Sequence, residues 1–196
     1  MVLLLGSMPR TPKPVGSEQM HFWLSAANDE FLAFRVKETL RDFSETMNSE
    51  LDFLRLWGLS KLTVPRLVAA AASINATPME YVQRLVMAAA LQAPAAVKSA
   101  SETKGGSVKR SINFTGPNLA LVAHNSARSG LEFSNSLNQL LDFARAYGLP
   151  SNLNAALTVV AAGRGGSLRD LVLALISDTV ARLPDPPAPR AKPARQ

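Results

Sequence analysis

The sequence predicts a mainly helical protein of two tandem units. Each unit is a short β-strand followed by about four helices, and the two strands pair as one antiparallel ribbon. The first observation behind this is repetition. Phe43-Ser44 and Leu51-Asp52-Phe53-x-Arg55-x-x-Gly58-Leu59 recur as Phe133-Ser134 and Leu141-Asp142-Phe143-x-Arg145-x-x-Gly148-Leu149, each displaced by 90 positions. The register runs without a gap from Met20 to Ala88 against Arg110 to Asp178, with 16 identical pairs, 9 of them between positions 43 and 59. Phe22/Ile112, Leu24/Phe114, Met47/Leu137, Trp57/Tyr147 and Val86/Ile176 are conservative pairs in the same register. The second observation is that each unit opens on strand-like alternation and then reads as helix. The third is that a lone strand cannot satisfy its backbone hydrogen bonds, whereas a second copy offers it a partner. Two copies in one chain suggest a homodimer's architecture fused into a monomer.

Residues 1–19 hold Pro9, Pro12 and Pro14 without periodicity and read as a disordered arm. The first repeat, 20–92, begins with His21-Phe-Trp-Leu-Ser25, apolar on one face and mostly polar on the other. A helix is expected from about Asn28, with that asparagine as N-cap, to Leu40. The next opens at Ser44 and stops at Gly58, which supplies a left-handed residue. Two more follow at about 63–74 and 77–92, the latter announced by the capping box Thr77-Pro-Met-Glu80. A flexible basic linker spans 93–109, with Ser99 to Ser107 rich in small polar residues. The second repeat, 110–183, starts with Ser111-Ile-Asn-Phe-Thr115 and has helices at about 118–129, 134–148, 152–163 and 167–183. Pro-Asp-Pro-Pro-Ala-Pro and the basic residues after it make 184–196 an extended or disordered tail. The added helices, rich in alanine, leucine and valine, are expected to close the core and to offer a surface for self-association or other proteins.

Composition narrows the function. With no cysteine, disulfides and thiolate metal sites are excluded, which fits a reducing cytoplasm. His21 and His124 lack zinc spacing, and no cofactor motif appears. The apolar run Met1 to Leu5 is shorter than the roughly 7–15 residues of a signal core. No run reaches the roughly 18 apolar residues of a membrane span. The net charge of +6 lies in the arm, linker and tail, beside nearly neutral repeats. Mobile basic segments of this kind suit a polyanionic partner.

With Lys109-Arg-Ser-Ile-Asn-Phe-Thr115 as strand, 118–129 as first helix, Ser129-Gly130-Leu131 as turn and Phe133-Ser-Asn-Ser-Leu137 opening the second, the chain resembles the ribbon-helix-helix family of DNA-binding proteins. That resemblance implies a sequence-reading protein of double-stranded DNA, serving as a transcriptional regulator or an accessory factor in plasmid transfer or maintenance. It implies that the outward residues of the strands, His21, Trp23 and Ser25 with Ser111, Asn113 and Thr115, face base edges in the major groove. It further implies that Ser44 and Ser134, at the second helices, meet phosphates. Lys109 and Arg110 would flank the ribbon. Physical chemistry supports each role: a two-stranded ribbon fits the major groove, asparagine pairs bidentately with adenine, and helix N-termini favour anions. The chain departs from the family pattern at His21 and Trp23, where a polar or basic reader is usual, and at Leu40, which replaces the turn glycine.

Simpler readings stand beside these. Asn113 is also an ordinary solvated strand residue, and Ser44 and Ser134 are also N-caps. Asp52 with Arg55, and Asp142 with Arg145, have the spacing of helix-face ion pairs. Trp57 and Tyr147 suit a core, and Gly163-Arg-Gly-Gly-Ser167 suits a loop before a helix. No catalytic set is formed, so the chain is read as not an enzyme. The alternative to DNA binding is a helical protein-interaction adaptor. The outward face of residues 20–25 and 110–115 discriminates: an exposed polar ribbon flanked by basic residues favours DNA, a buried one the adaptor.

Overall fold

Residues 18–93 and 105–185 are described by the computed structural model. The expectations for the arm, most of the linker and most of the tail lie outside them. The described residues form β1 (Glu18–Ser25), α1 (Ala26–Thr39), α2 (Phe43–Leu56), α3 (Val64–Ser73), α4 (Pro78–Leu91), β2 (Ser107–Phe114), α5 (Gly116–Ser129), α6 (Phe133–Ala146), α7 (Ser151–Gly163) and α8 (Leu168–Ala181). The protein is therefore mainly helical, with one two-stranded antiparallel sheet among these residues. Helices α1, α2 and α4 each begin ninety positions before α5, α6 and α8, and all six have 14 residues. No described helix is long and apolar enough to cross a membrane.

The strands pair from Glu18 opposite Phe114 to Ser25 opposite Ser107, which places His21 against Ser111, the residue ninety positions on. This ladder is longer at its N-terminal ends than the expected 20–25 with 110–115. Glu18 and Gln19, assigned to the arm, belong to β1, and Ser107, Val108 and Lys109, assigned to the linker, belong to β2. Alternation alone could not show this, because the added residues are fixed by the partner strand and not by a pattern of their own.

The inner face of the ribbon carries Phe22, Leu24, Ile112 and Phe114, all at most 3% exposed. Burying each such side chain is worth about 1.5–3 kcal/mol. Beneath them, deeper in the helical layer, Phe53, Trp57, Phe143 and Tyr147 form a ring of edge-on contacts with centroids 5.6 to 6.3 Å apart. Trp57 and Tyr147 themselves take the left-handed conformation at the ends of α2 and α6, followed by Gly58 and Gly148 in the same region. The expected glycine stop is thus a pair of left-handed residues, in which the aromatic side chain is turned back into the core. A Cβ on Gly148 would lie 2.6 Å from Gln83 Nε2, and one on Gly58 would overlap Leu173.

Helix capping corrects the sequence reading at four serine and asparagine positions. Ser25, not Asn28, caps α1, its hydroxyl accepting from Asn28 N at 3.3 Å. Thr115 holds the equivalent place before α5. Asn28 and Asn118 are one turn further in and fully buried. At α2 the cap is Asp42, which accepts from Glu45 N at 2.8 Å, and at α6 it is Glu132; Ser44 and Ser134 are the second helical residues. At α2 the Asp42 carboxylate takes the capping bond ahead of the serine two positions on, whereas Glu132 makes no side-chain cap at α6. The capping boxes Thr77/Glu80 and Ser167/Asp170 form, and hydrogen bonds from the capped backbone hold both carboxyls below their usual pKa.

Candidate nucleic-acid interface

The outward face of the ribbon is a grid of paired positions: Gln19 opposite Asn113, His21 opposite Ser111, Trp23 opposite Lys109, and Ser25 opposite Ser107. Gln19, His21, Trp23, Lys109, Ser111 and Ser107 are exposed, Trp23 at 51%, and Asn113 is half-buried. Gln19 Nε2 donates to Ser111 Oγ at 3.0 Å. The Asn113 Oδ1 atom is buried and finds no partner among the described residues, so this amide is under no hydrogen-bond restraint and gains by turning outward.

Both outer edges of the ribbon are tied to helices. Asn138 on α6 donates from Nδ2 to Trp23 O at 2.8 Å and accepts at Oδ1 from Ser25 N at 2.8 Å and Asn28 Nδ2 at 3.0 Å. Asn48 on α2 does the same at the other edge, donating to Asn113 O at 2.8 Å and accepting from Thr115 N and Asn118 Nδ2 at 3.0 Å. Each strand is thereby fastened to a helix from the other half of the sequence. The buried asparagines Asn28 and Asn118 serve this fastening and not capping. Side chains thereby satisfy the edge backbone at Trp23, Ser25, Asn113 and Thr115, which a two-stranded sheet otherwise leaves open. As a result the N-termini of α2 and α6 flank the ribbon on its two sides.

Of the ten residues singled out from sequence, His21, Trp23, Ser25, Lys109, Ser111 and Asn113 lie on the outward grid. Ser25, at the end of the grid, and Thr115, just beyond it, are less open than its exposed residues. They are half-buried at the chain reversals into α1 and α5, with their backbone N–H groups held by Asn138 and Asn48. Arg110 turns to the helical side, where it grips Asp29 through two hydrogen bonds of 2.6 and 2.7 Å and lies 4.9 Å over the Phe43 ring. The bond to Asp29 holds its pKa above the usual arginine value. It is lost to the outward face because strand alternation places it with Ile112. Ser134 Oγ accepts from Trp23 N at 3.1 Å and keeps its own hydroxyl proton to donate. Ser44 is half-buried at the start of α2.

Electrostatics separate the two ends. The first turn of α2 carries Asp42 and Glu45, both exposed, whereas α6 opens with Ser134, Asn135 and Ser136 after Glu132. The α6 end is the better receiver for an anion. Gln19 was missed from sequence because it fell in a segment assigned to the arm, although it shares the parity of His21 and Trp23. Asn48 and Asn138 were missed as well. Their identity at the ninety-residue offset was the available signal. Among the described residues no cluster of histidine, aspartate and glutamate could hold a metal ion. Compared with protein-family models, curated proteins and solved structures, the chain matches none.

Proposed function

We propose that the chain is a sequence-reading double-stranded DNA-binding protein, built as a tandem duplication resembling a single-chain ribbon-helix-helix pseudo-dimer. In this reading it serves as a transcriptional regulator or a plasmid transfer or maintenance factor. The observation that carries it is the ribbon's outward grid: exposed hydrogen-bonding side chains above an inner face where Phe22, Leu24, Ile112 and Phe114 are buried, with helix N-termini on either side. Among these side chains Trp23, 51% exposed, is the one that a purely structural ribbon has least need to show to water. The equal lengths of the helices ninety positions apart, and the pairing of His21 with Ser111, support the duplication. Because the paired readers differ, the bound site is asymmetric.

Selection of duplexes from a random pool at stated salt tests this. An enriched, non-palindromic sequence is expected. Asn113→Ala then costs about 1–3 kcal/mol at one base pair, and Lys109→Ala weakens all duplexes alike and flattens the salt slope by about one unit. No enrichment together with no salt-dependent duplex binding refutes the reading.

A further inference from the structure

A groove of about 870 Å³ runs between α3 and α4 on one side and α5 and α6 on the other. Its floor is apolar, with Leu54, Trp57, Leu140 and Phe143, and its rim holds His124 and Arg128. The corresponding place in the other half of the chain is filled. There the Glu50 carboxylate, 1% exposed, accepts from Arg35 Nε at 3.0 Å and from Arg169 Nη1 at 2.6 Å, and the Arg169 guanidinium lies 4.0 Å over the Phe53 ring. Ninety positions away these three charged residues become Asn125, Leu140 and Met79. The ion cluster is gone, the space is open among the described residues, and Phe143 faces it without a cation on its ring. On the rim the charge reverses at one position, where Arg128 stands for Glu38, and Phe34 gives way to His124.

We propose that this groove binds a medium-length apolar carboxylate, its hydrocarbon on the floor and its carboxylate on Arg128. The volume lies within the roughly 300–1,000 Å³ of small-molecule sites, which combine apolar walls with a few polar groups. The choice of an anion follows from how each rim cation is held. Arg145 is bound to Asp142 at 3.1 Å and Arg55 to Asp52 at 2.8 Å. Among the described residues Arg128 reaches only Glu80, at 3.5 Å, with both side chains half exposed, and Glu80 is already held through its other oxygen by Thr77 N at 2.6 Å. Arg128 is therefore the guanidinium that exchanges its partner at least cost. A carboxylate on the ligand supplies in this groove what Glu50 supplies from the chain itself in the other half. The proposal stands independently of DNA binding.

Trp57 lines the groove and reports on it. The experiment titrates octanoate, with octanol as the uncharged control, into the full chain carrying Trp23→Phe, and follows Trp57 emission without DNA. A saturable response to octanoate is expected, about tenfold weaker in Arg128→Ala, with octanol indifferent to that substitution. Val68→Trp, at an exposed groove-lining position on α3, fills the space and abolishes the response, judged by calorimetry with helicity as the folding control. No saturable response in the full chain overturns the proposal, whether nothing binds or another segment of the chain already sits there. Equal affinity for octanoate in the parent, Arg128→Ala and Val68→Trp proteins also overturns it.

Discussion

Replacing Asn138 by alanine tests the fastening of the ribbon. The side chain makes four hydrogen bonds: to Trp23 O and Ser134 O as donor, and from Ser25 N and Asn28 Nδ2 as acceptor, at 2.8 to 3.0 Å. The losses are unequal. Trp23 is exposed, so its carbonyl turns to water, and the Ser134 carbonyl stays within its helix. Ser25 N loses its acceptor, and fully buried Asn28 keeps the bond from Nδ2 to Asn138 O at 3.2 Å but has its other amide hydrogen stranded. A stranded buried donor costs about 1–3 kcal/mol, and the two exchanged bonds add a fraction each, so about 3 kcal/mol is expected. In a domain of this size that lowers the melting temperature by about 6–12 °C. Asn138→Asp keeps the acceptor but sets a carboxylate against two carbonyls, and so does not rescue. Urea unfolding gives the free energy, and hydrogen exchange at Ser25, whose N–H loses its acceptor, locates it. A loss below about 1 kcal/mol, or one without faster exchange at the Ser25 amide, refutes the reasoning.

Leu40 ends α1 in the left-handed region at φ 55° with its side chain 91% exposed, where Gly130 stands ninety positions on. Leu40→Gly is expected to relieve about 1–2 kcal/mol of strain, less about 0.5–1 kcal/mol of added unfolded-state entropy, and so to raise the melting temperature slightly. A lower one contradicts the strain argument. Burial pushes the Tyr147 hydroxyl up to about 12. The unfolded chain ionises there from about pH 10 while the folded chain keeps its proton, so the Tyr147 contribution is complete below pH 10 and is lost between about pH 10 and 12, by about 2–3 kcal/mol. Urea unfolding at pH 9 and 11.5 should show a smaller alkaline loss in Tyr147→Phe; equal losses would refute the assignment.

Element order was legible in the sequence because it rests on local signals. Alternation marked Phe22 and Leu24 for burial, and the Thr77 capping box fixed the start of α4 to the residue. What was not legible depends on groups distant in the chain. The ends of β1 and β2 are set by a partner about ninety residues away, and alternation alone gave no count of how far that pairing runs. Arg110 read as a flanking charge because nothing in its neighbourhood announces Asp29, which the fold brings to it. Asn28 and Asn48 were each ordinary as single asparagines. Only the packing of α2 and α6 against the opposite strand gives them a task, and the recurrence of both at the same offset was a clue that a local reading had no means to use.

The reciprocal fastening, β1 on α6 and β2 on α2, has a consequence for how chains behave in company. Two chains that exchanged their second halves would rebuild every strand pairing and every asparagine contact, with one chain supplying α2 and the other β2. What favours the closed single chain is the short connection between Ala93 and Ser107, which keeps the partner half at an effective concentration of about millimolar order. Shortening that connection until it cannot span the two ends would leave the same contacts available only between molecules. The ribbon closed within one chain would then give way to the same ribbon shared between two interlocked chains.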